Sequence, residues 1–242
     1  MFSARSILLI ACLFTSFASW ARGGGGAGIS GEYSLGIDLG VVNASQTQMN
    51  ELIQRANAGA NGPVSTGQLN QAYEVAPFIG YRINGTIFQL QLRPSYFYEK
   101  EDGTGKDGSY SYSVTGWTIF PMLRLYPLEN DFMKFYMQIG LGYGQMTGEI
   151  NEGAGNSVKF GSGAFGTNLG LGAEFCFWPS HCFQFEGDYR YLSFERSIVK
   201  SSTGSGGGLS QSSQGNEVEM DGNDLSVRMG GLMFLMGYTM YL

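Results

Sequence analysis

Residues 165–191 read FGTNLGLGAEFCFWPSHCFQFEGDYRY, and the period of their apolar residues decides the fold. Phe165, Thr167, Leu169, Leu171, Ala173, Phe175 and Phe177 alternate with Gly166, Asn168, Gly170, Gly172, Glu174 and Cys176. After the break Trp178-Pro179-Ser180-His181, the series Phe183, Phe185, Gly187, Tyr189, Tyr191 alternates with Cys182, Gln184, Glu186, Asp188, Arg190. A period of two sends alternate side chains to opposite faces of a strand. One face suits hydrocarbon; the other is small, polar and rich in carboxylates. A soluble sandwich also alternates, but with its polar face outward and usually with shorter strands. Long strands with aromatic residues at both ends of the apolar face predict a transmembrane β-hairpin.

The same period recurs on both sides of this hairpin. It runs over 33–41, 71–82, 88–98, a strand ending at 117–125, then 135–143, and finally 230–242, which with the hairpin makes eight strands. Connections of two kinds join them. A long polar segment at 43–70, with a short helix expected over 49–58, and polar loops at 101–109, 148–161 and 197–224 follow the odd strands. Short turns follow the even ones: Asn84-Gly85 with a type I′ signal, 127–131, and the break after Phe177. The sequence therefore predicts an all-β, eight-stranded antiparallel up-and-down transmembrane β-barrel over 30–242. The glycine- and serine-rich loops are expected to be disordered rather than to form a groove.

Composition agrees. Only 14% of residues are charged, against roughly 25% in soluble domains, while 38 glycines, 14 tyrosines and 17 phenylalanines suit a barrel. No apolar run reaches the ~18 residues of a transmembrane helix. A net charge of −6 without a basic stripe excludes nucleic acid as a partner. Residues 1–21 are expected to be a secretory signal peptide, with Arg5 ahead of the apolar stretch 7–17 and Ala21 at the cleavage position. A lipoprotein signal at Leu9-Ile10-Ala11-Cys12 is the alternative. Residues 22–29 form a glycine-rich tail.

Aromatic residues mark both rims of the expected apolar belt. Tyr73, Tyr96, Tyr98, Tyr143 and Tyr191 fall at the long-loop end, and Tyr33, Tyr81, Phe88, Phe135 and Tyr238 at the short-turn end. Short turns on the periplasmic side and long loops outside are the asymmetry of outer-membrane barrels. On these patterns the chain resembles the small outer-membrane β-barrel superfamily that includes the OmpA transmembrane domain, OmpW and opacity-type proteins. The closing segment, Gly231 to Leu242, resembles the terminal strand read by the barrel-assembly machinery, with Leu242 where Phe is usual. The resemblance implies the outer membrane of a Gram-negative-type cell, lipid and lipopolysaccharide as partners, and a monomer. The peptidoglycan-binding domain of full OmpA-type proteins is not expected.

The inward face collects charges of both signs: Asp38, Glu74, Glu174, Glu186 and Asp188 against Arg82, Arg93, Arg124, Lys134 and Arg190. Two readings stand, an ion-selective lining and a salt-bridged plug; a narrow barrel whose interior side chains nearly fill favours the plug. Gly140, Gly142, Gly144, Gly166, Gly170 and Gly172 form a stripe that either opens a water path or makes room for Phe78, Phe97 or Phe120 opposite. Cys176 and Cys182, paired across a tight turn on an oxidising secretory route, predict a disulfide. His181, the only histidine, lies in a periplasmic turn without Ser-His-acid spacing. No catalytic residue, metal site or cofactor is expected. Arg228 shares the apolar face on strict alternation, unless a bulge at Gly230-Gly231 turns it inward. The function expected is a non-enzymatic barrel with a salt-bridged lumen and surface loops for surface interaction or envelope structure. The alternatives are a narrow channel for ions or, as the OmpW resemblance implies, for small hydrophobic molecules, and more remotely a lipid-A-modifying enzyme.

Overall fold

The computed structural model describes residues 31–44, 46–59, 65–153, 155–204 and 209–242. The expected signal peptide and glycine-rich tail lie outside the described residues. Eight long strands make the barrel: β1 (Gly31–Asn43), β2 (Gln71–Ile83), β3 (Phe88–Gly105), β4 (Gly108–Glu129), β5 (Met133–Glu152), β6 (Asn156–Trp178), β7 (His181–Phe194) and β8 (Gly231–Tyr241). Each pairs antiparallel with the next, and β8 returns to β1 from Ser34↔Tyr241 to Val42↔Met233, closing the ring. Closure leaves no edge inside the membrane, where an unpaired backbone group finds no water.

Proline writes itself into the ladder. Pairing between β2 and β3 lapses from Val75↔Tyr96 to Ile79↔Leu92, the stretch in which Pro77 and Pro94 meet without backbone donors. The Asn84-Gly85 turn is not type I′. Only Gly85 has a left-handed φ, 71°, and the turn closes through the Thr86 amide on the Ile83 carbonyl at 3.2 Å.

Two of the expected polar loops are strand. β3 and β4 continue to a two-residue turn at Lys106-Asp107, and β5 and β6 continue to a turn around Gly153 and Gly155, whose φ angles are 61° and 104°. The physical reason is that the alternation persists above the membrane: Tyr112, Val114, Ile150, Val158 and Phe160 all point inward and are buried, with serine, lysine and glutamate between them. The other two connections are compact. Helix α1 (Thr47–Asn57) buries Met49, Asn50, Leu52 and Ile53, starting two residues earlier than expected. Ser65–Thr66 adds to β3, and Ile198–Thr203 adds to the upper part of β6.

The aromatic residues expected as girdles lie on the outward row. Tyr33 and Tyr81 pair at 5.0 Å between ring centroids at the inner rim, and Tyr143 stands 5.2 Å from Phe165 at the outer one. Between the rims the outer surface is aliphatic, with Ile139 52% exposed at mid-depth between Leu123 and Leu169. Ile139→Arg is expected to cost about 2–4 kcal/mol in the bilayer, read as a lower urea midpoint in lipid vesicles.

Candidate functional site in the barrel lumen

Three layers fill the interior. The middle one is built from alternate residues of the strands and centres on two arginines that are buried and cannot shed their charge. Arg93 from β3 donates from Nη2 to Asp188 Oδ2 at 2.8 Å and from Nη1 to Glu186, with Asp38 at 3.9 Å. Arg124 from β4 donates to Glu186 Oε2 at 2.8 Å and to Gln138 Oε1 at 2.8 Å, with Glu174 at 3.5 Å. Its guanidinium lies 4.1 Å from the ring centroid of Tyr136. Arg190, higher on β7, pairs with Glu74 at 2.8 Å and donates to the Met229 carbonyl at 3.0 Å. Eight of the ten charges read from the sequence as inward, Asp38, Glu74, Arg93, Arg124, Glu174, Glu186, Asp188 and Arg190, thus lie buried in the lumen.

Their balance differs from the expected five against five. Arg82 and Lys134 sit at the inner rim, where Glu129 accepts from Arg82 at 2.5 Å and lies 3.6 Å from Lys134. They leave five carboxylates to three guanidiniums in the lumen. Neutral donors supply further hydrogen bonds. Gln138 and Asn168 each reach Asp188 at 2.9 Å, Tyr136 reaches Glu186 at 2.9 Å, and Gln184 donates to Asp38. Such donors give these buried oxygens hydrogen-bond partners within the protein.

The lower layer is aromatic and covalent. Tyr126 donates to Glu174 at 2.9 Å and Tyr241 to the other oxygen of the same carboxylate. Beneath them Cys176 and Cys182 are register partners, joined as the expected disulfide with Cα atoms 3.9 Å apart. A Glu174 carboxylate oxygen lies within 4.8 Å of both sulfurs, but oxidised sulfur is not a thiolate ligand. His181 is at this end too, bonded through Nδ1 to the Tyr238 hydroxyl and stacked on both Phe177 and Tyr238.

The glycine stripe gives space to side chains. A Cβ on Gly142 would strike the Phe120 ring at 2.5 Å, one on Gly140 would strike Met122 Cγ at 2.9 Å, and ones on Gly170 and Gly172 would collide with Asp188 and Tyr136. The stripe is where these groups fold across the lumen, not a path through it. Gly172→Val is expected to push Tyr136 off Glu186 at about 1–3 kcal/mol, seen as a lower unfolding midpoint with the strand content unchanged.

No protein-family model matches the sequence, and no curated protein matches it. The structure is similar to the crystal structure of the outer membrane protein OprG from Pseudomonas aeruginosa, with 12% identity and a TM-score of 0.52 over 88% of this chain and 96% of that one. It is also similar to a major outer membrane protein from Thermus thermophilus, with 12% identity and a TM-score of 0.51 over 88% and 100% of the two chains. The fold is that of the small outer-membrane β-barrels. A closed barrel with an apolar belt outside and a charged lumen inside belongs in an outer membrane.

The upper layer of this outer-membrane barrel is the part that sequence reasoning missed. Leu52 and Ile53 of α1 join Leu69, Leu209, Val218, Met220, Leu225, Val227 and Met229 in one buried cluster against Phe97, Tyr112, Val114, Phe160 and Phe194 of the strands. The two long connections also grip each other. Gln46 donates to the Arg228 carbonyl at 2.7 Å and accepts from its amide at 3.0 Å. Within the first connection, Asn50 donates to the Leu69 carbonyl at 2.9 Å and accepts from its amide at 2.7 Å. The expected disorder of 43–70 and 197–224 is therefore corrected over the described residues: scattered single apolar side chains converge in space to make a core. Arg228 faces outward, since Val227 and Met229 on either side are buried and the pairing sum with β7 does not change across Gly230-Gly231.

Glu99, just above the outer tyrosine girdle, lies under this cap. Burial pushes its carboxyl up from 4.5 to about 7, opposed by the Gln46 side chain, which donates to it at 3.2 Å, and by a backbone donor from Gln71. The nearby Glu101 carboxylate pushes the same way as burial. A raised acid is bound to its proton more tightly in the folded state, so the penalty is absent below about 4.5 and complete above about 7. Cap protection against external protease is expected to weaken as pH rises through that window, and Glu99→Gln to remove the dependence.

Proposed function

We propose that the protein is a non-enzymatic, monomeric outer-membrane barrel whose sealed lumen serves as a rigid mount for a folded surface cap. The observation that carries this reading is the stacking of three filled layers along one axis: apolar cap, charge network, and tyrosine–disulfide floor. Ions crossing it would have to separate Arg93 and Arg124 from the carboxylates that surround them, and leaving a buried charge unpaired is strongly unfavourable. The acids and bases of the lumen are committed to one another, and the sole histidine is held at the inner rim by Tyr238; neither is arranged as a nucleophile with its base. The cap offers the cell surface for contact with its surroundings. Strand β8 carries the terminal signal for the barrel-assembly machinery in the same reading.

Single-channel recording on the refolded protein in a planar bilayer tests the seal. A verifiably folded barrel is expected to stay silent. Steady openings that change with Arg93→Ala would replace the sealed mount by a narrow channel. Hydrolysis of lipid A by the purified protein in detergent would overturn its non-enzymatic character.

A further inference from the structure

The inner end of the closing strand is held differently from the rest of it. The register of β8 with β7 runs from Gly231↔Arg190 to Met240↔His181 and stops there. Tyr241, the last inward side chain of β8, lies beyond that ladder and is nonetheless buried. Its amide donates to the carbonyl of Ser180, in the turn between β6 and β7, at 2.9 Å, and its hydroxyl donates to Glu174. Lys134 Nζ stands 3.5 Å from the centroid of its ring. On the other seam Tyr241 is the register partner of Ser34, and the Leu242 amide donates to the Tyr33 carbonyl at 2.9 Å. One residue thus ties the closing seam to the β6–β7 hairpin.

That hairpin is the one the disulfide crosses. Cys176, Cys182 and Tyr241 form a buried cluster of their own, apart from the cap. Cys182 is the register partner of Cys176 on one side and of Thr239 on the other, two residues before Tyr241 on the same face. Toward the turn the ladder is irregular: the register shifts between Cys176↔Cys182 and Trp178↔His181, the mark of a bulge. A slip of one residue sends every side chain of a strand to the other face. Here it would turn Glu174 out of the lumen and draw the Ser180 carbonyl away from the Tyr241 amide. The covalent bond between Cys176 and Cys182 forbids that slip.

We propose that oxidation of this hairpin controls closure of the barrel at its inner end. The Cys176–Cys182 bond holds Glu174 and the Ser180 carbonyl in the register that receives Tyr241, and Tyr241 in turn covers the bond. Reduction by a dithiol passes two electrons and two protons to the pair, leaving two thiols here and a disulfide in the reductant. The hairpin is then free to shift, and the end of β8 loses its seat. Linkage makes the coupling reciprocal: reduction weakens the docking of Tyr241, and loss of Tyr241 makes the bond easier to reduce at equilibrium by the same factor. The device belongs to the seam and not to the sealed lumen, so bilayer conductance does not bear on it.

Two measurements on the full chain folded in detergent test the coupling. In the first, hydrogen exchange of residues 237–242 is followed by mass spectrometry in wild type and in Cys176→Ser/Cys182→Ser. Exchange there is expected to rise about tenfold in the variant, with the peptides of β3 and β4 unchanged. In the second, the disulfide is equilibrated against a series of dithiothreitol ratios and the thiols are counted by alkylation. Tyr241→Ala is expected to move the equilibrium about tenfold toward the thiols, and Tyr241→Phe, which loses only the bond to Glu174, to move it less. Phe234→Ala, on the outer face of the same strand, is expected to leave it in place. Heat-modifiable gel migration checks that each variant is folded; if the serine pair is not, the second measurement carries the test on chains that keep both cysteines. Exchange at 237–242 that ignores the disulfide overturns the proposal. So does a bond that reduces alike, or resists alike, in Tyr241→Ala and Phe234→Ala. A rise in exchange spread over all strands also overturns it, because the bond is then a general brace without a specific hold on the closing strand.

Discussion

Replacing Arg124 with alanine is expected to lower the unfolding free energy by about 3–5 kcal/mol. The guanidinium is fully buried and serves Glu186, Glu174 and Gln138 together, so truncation takes from the buried Glu174 the guanidinium beside it and leaves Glu186 with Arg93 alone. Lysine is expected to recover little, because one ammonium cannot reproduce the planar fork that reaches Glu186 and Gln138 while stacking on Tyr136. Arg124→Met is the informative control, since methionine keeps much of the side-chain volume without the charge. Methionine as harmful as alanine would assign the loss to charge rather than packing, and a double cycle with Glu186→Gln would then apportion the pair. The readout is the urea midpoint of the barrel in lipid vesicles, followed by tryptophan fluorescence and gel migration. A shift smaller than about 1 kcal/mol would mean that the network is not what holds the lumen together.

The second large effect is on the cap. Ile53→Asp is expected to release α1 from the cluster at a cost of about 3 kcal/mol or more, because the carboxylate would replace a fully buried apolar side chain among Val, Leu and Phe neighbours. Protease added outside would then cut within 44–70 and 195–230, while β1–β8 remain protected in the bilayer. Conductance is expected to stay absent in this variant, since the charge layer below is untouched. Openings in Ile53→Asp but not in wild type would place the seal in the cap alone. The Arg55–Asp221 pair, exposed on top of the cap with its short contact between Arg55 Nη2 and Asp221, holds the Asp221 carboxyl below its ordinary value. Its contribution is present at neutral pH and fades as pH falls through that lowered value.

The sequence by itself determined the barrel. Alternation over Phe165 to Tyr191 and its repetition in the other strands left one topology, because a strand with a hydrocarbon face and a charged face has to close around its charges. The girdle tyrosines, the inward acids and arginines, and the Cys176–Cys182 partnership follow from the same period, since a register fixes the face of every residue in it. What the period does not carry is partnership across the lumen. Which carboxylate Arg93 or Arg124 meets depends on strands far apart in sequence, and the placing of Arg82 and Lys134 with Glu129 depends on depth along the axis. The cap is the largest feature that only the tertiary structure decided. Leu69, Leu209, Val218 and Leu225 stand singly among glycine, serine and acid residues, with no repeat to mark them. They become a core because the extended strands β3 to β6 rise as a curved apolar wall on which two distant connections can bury them together.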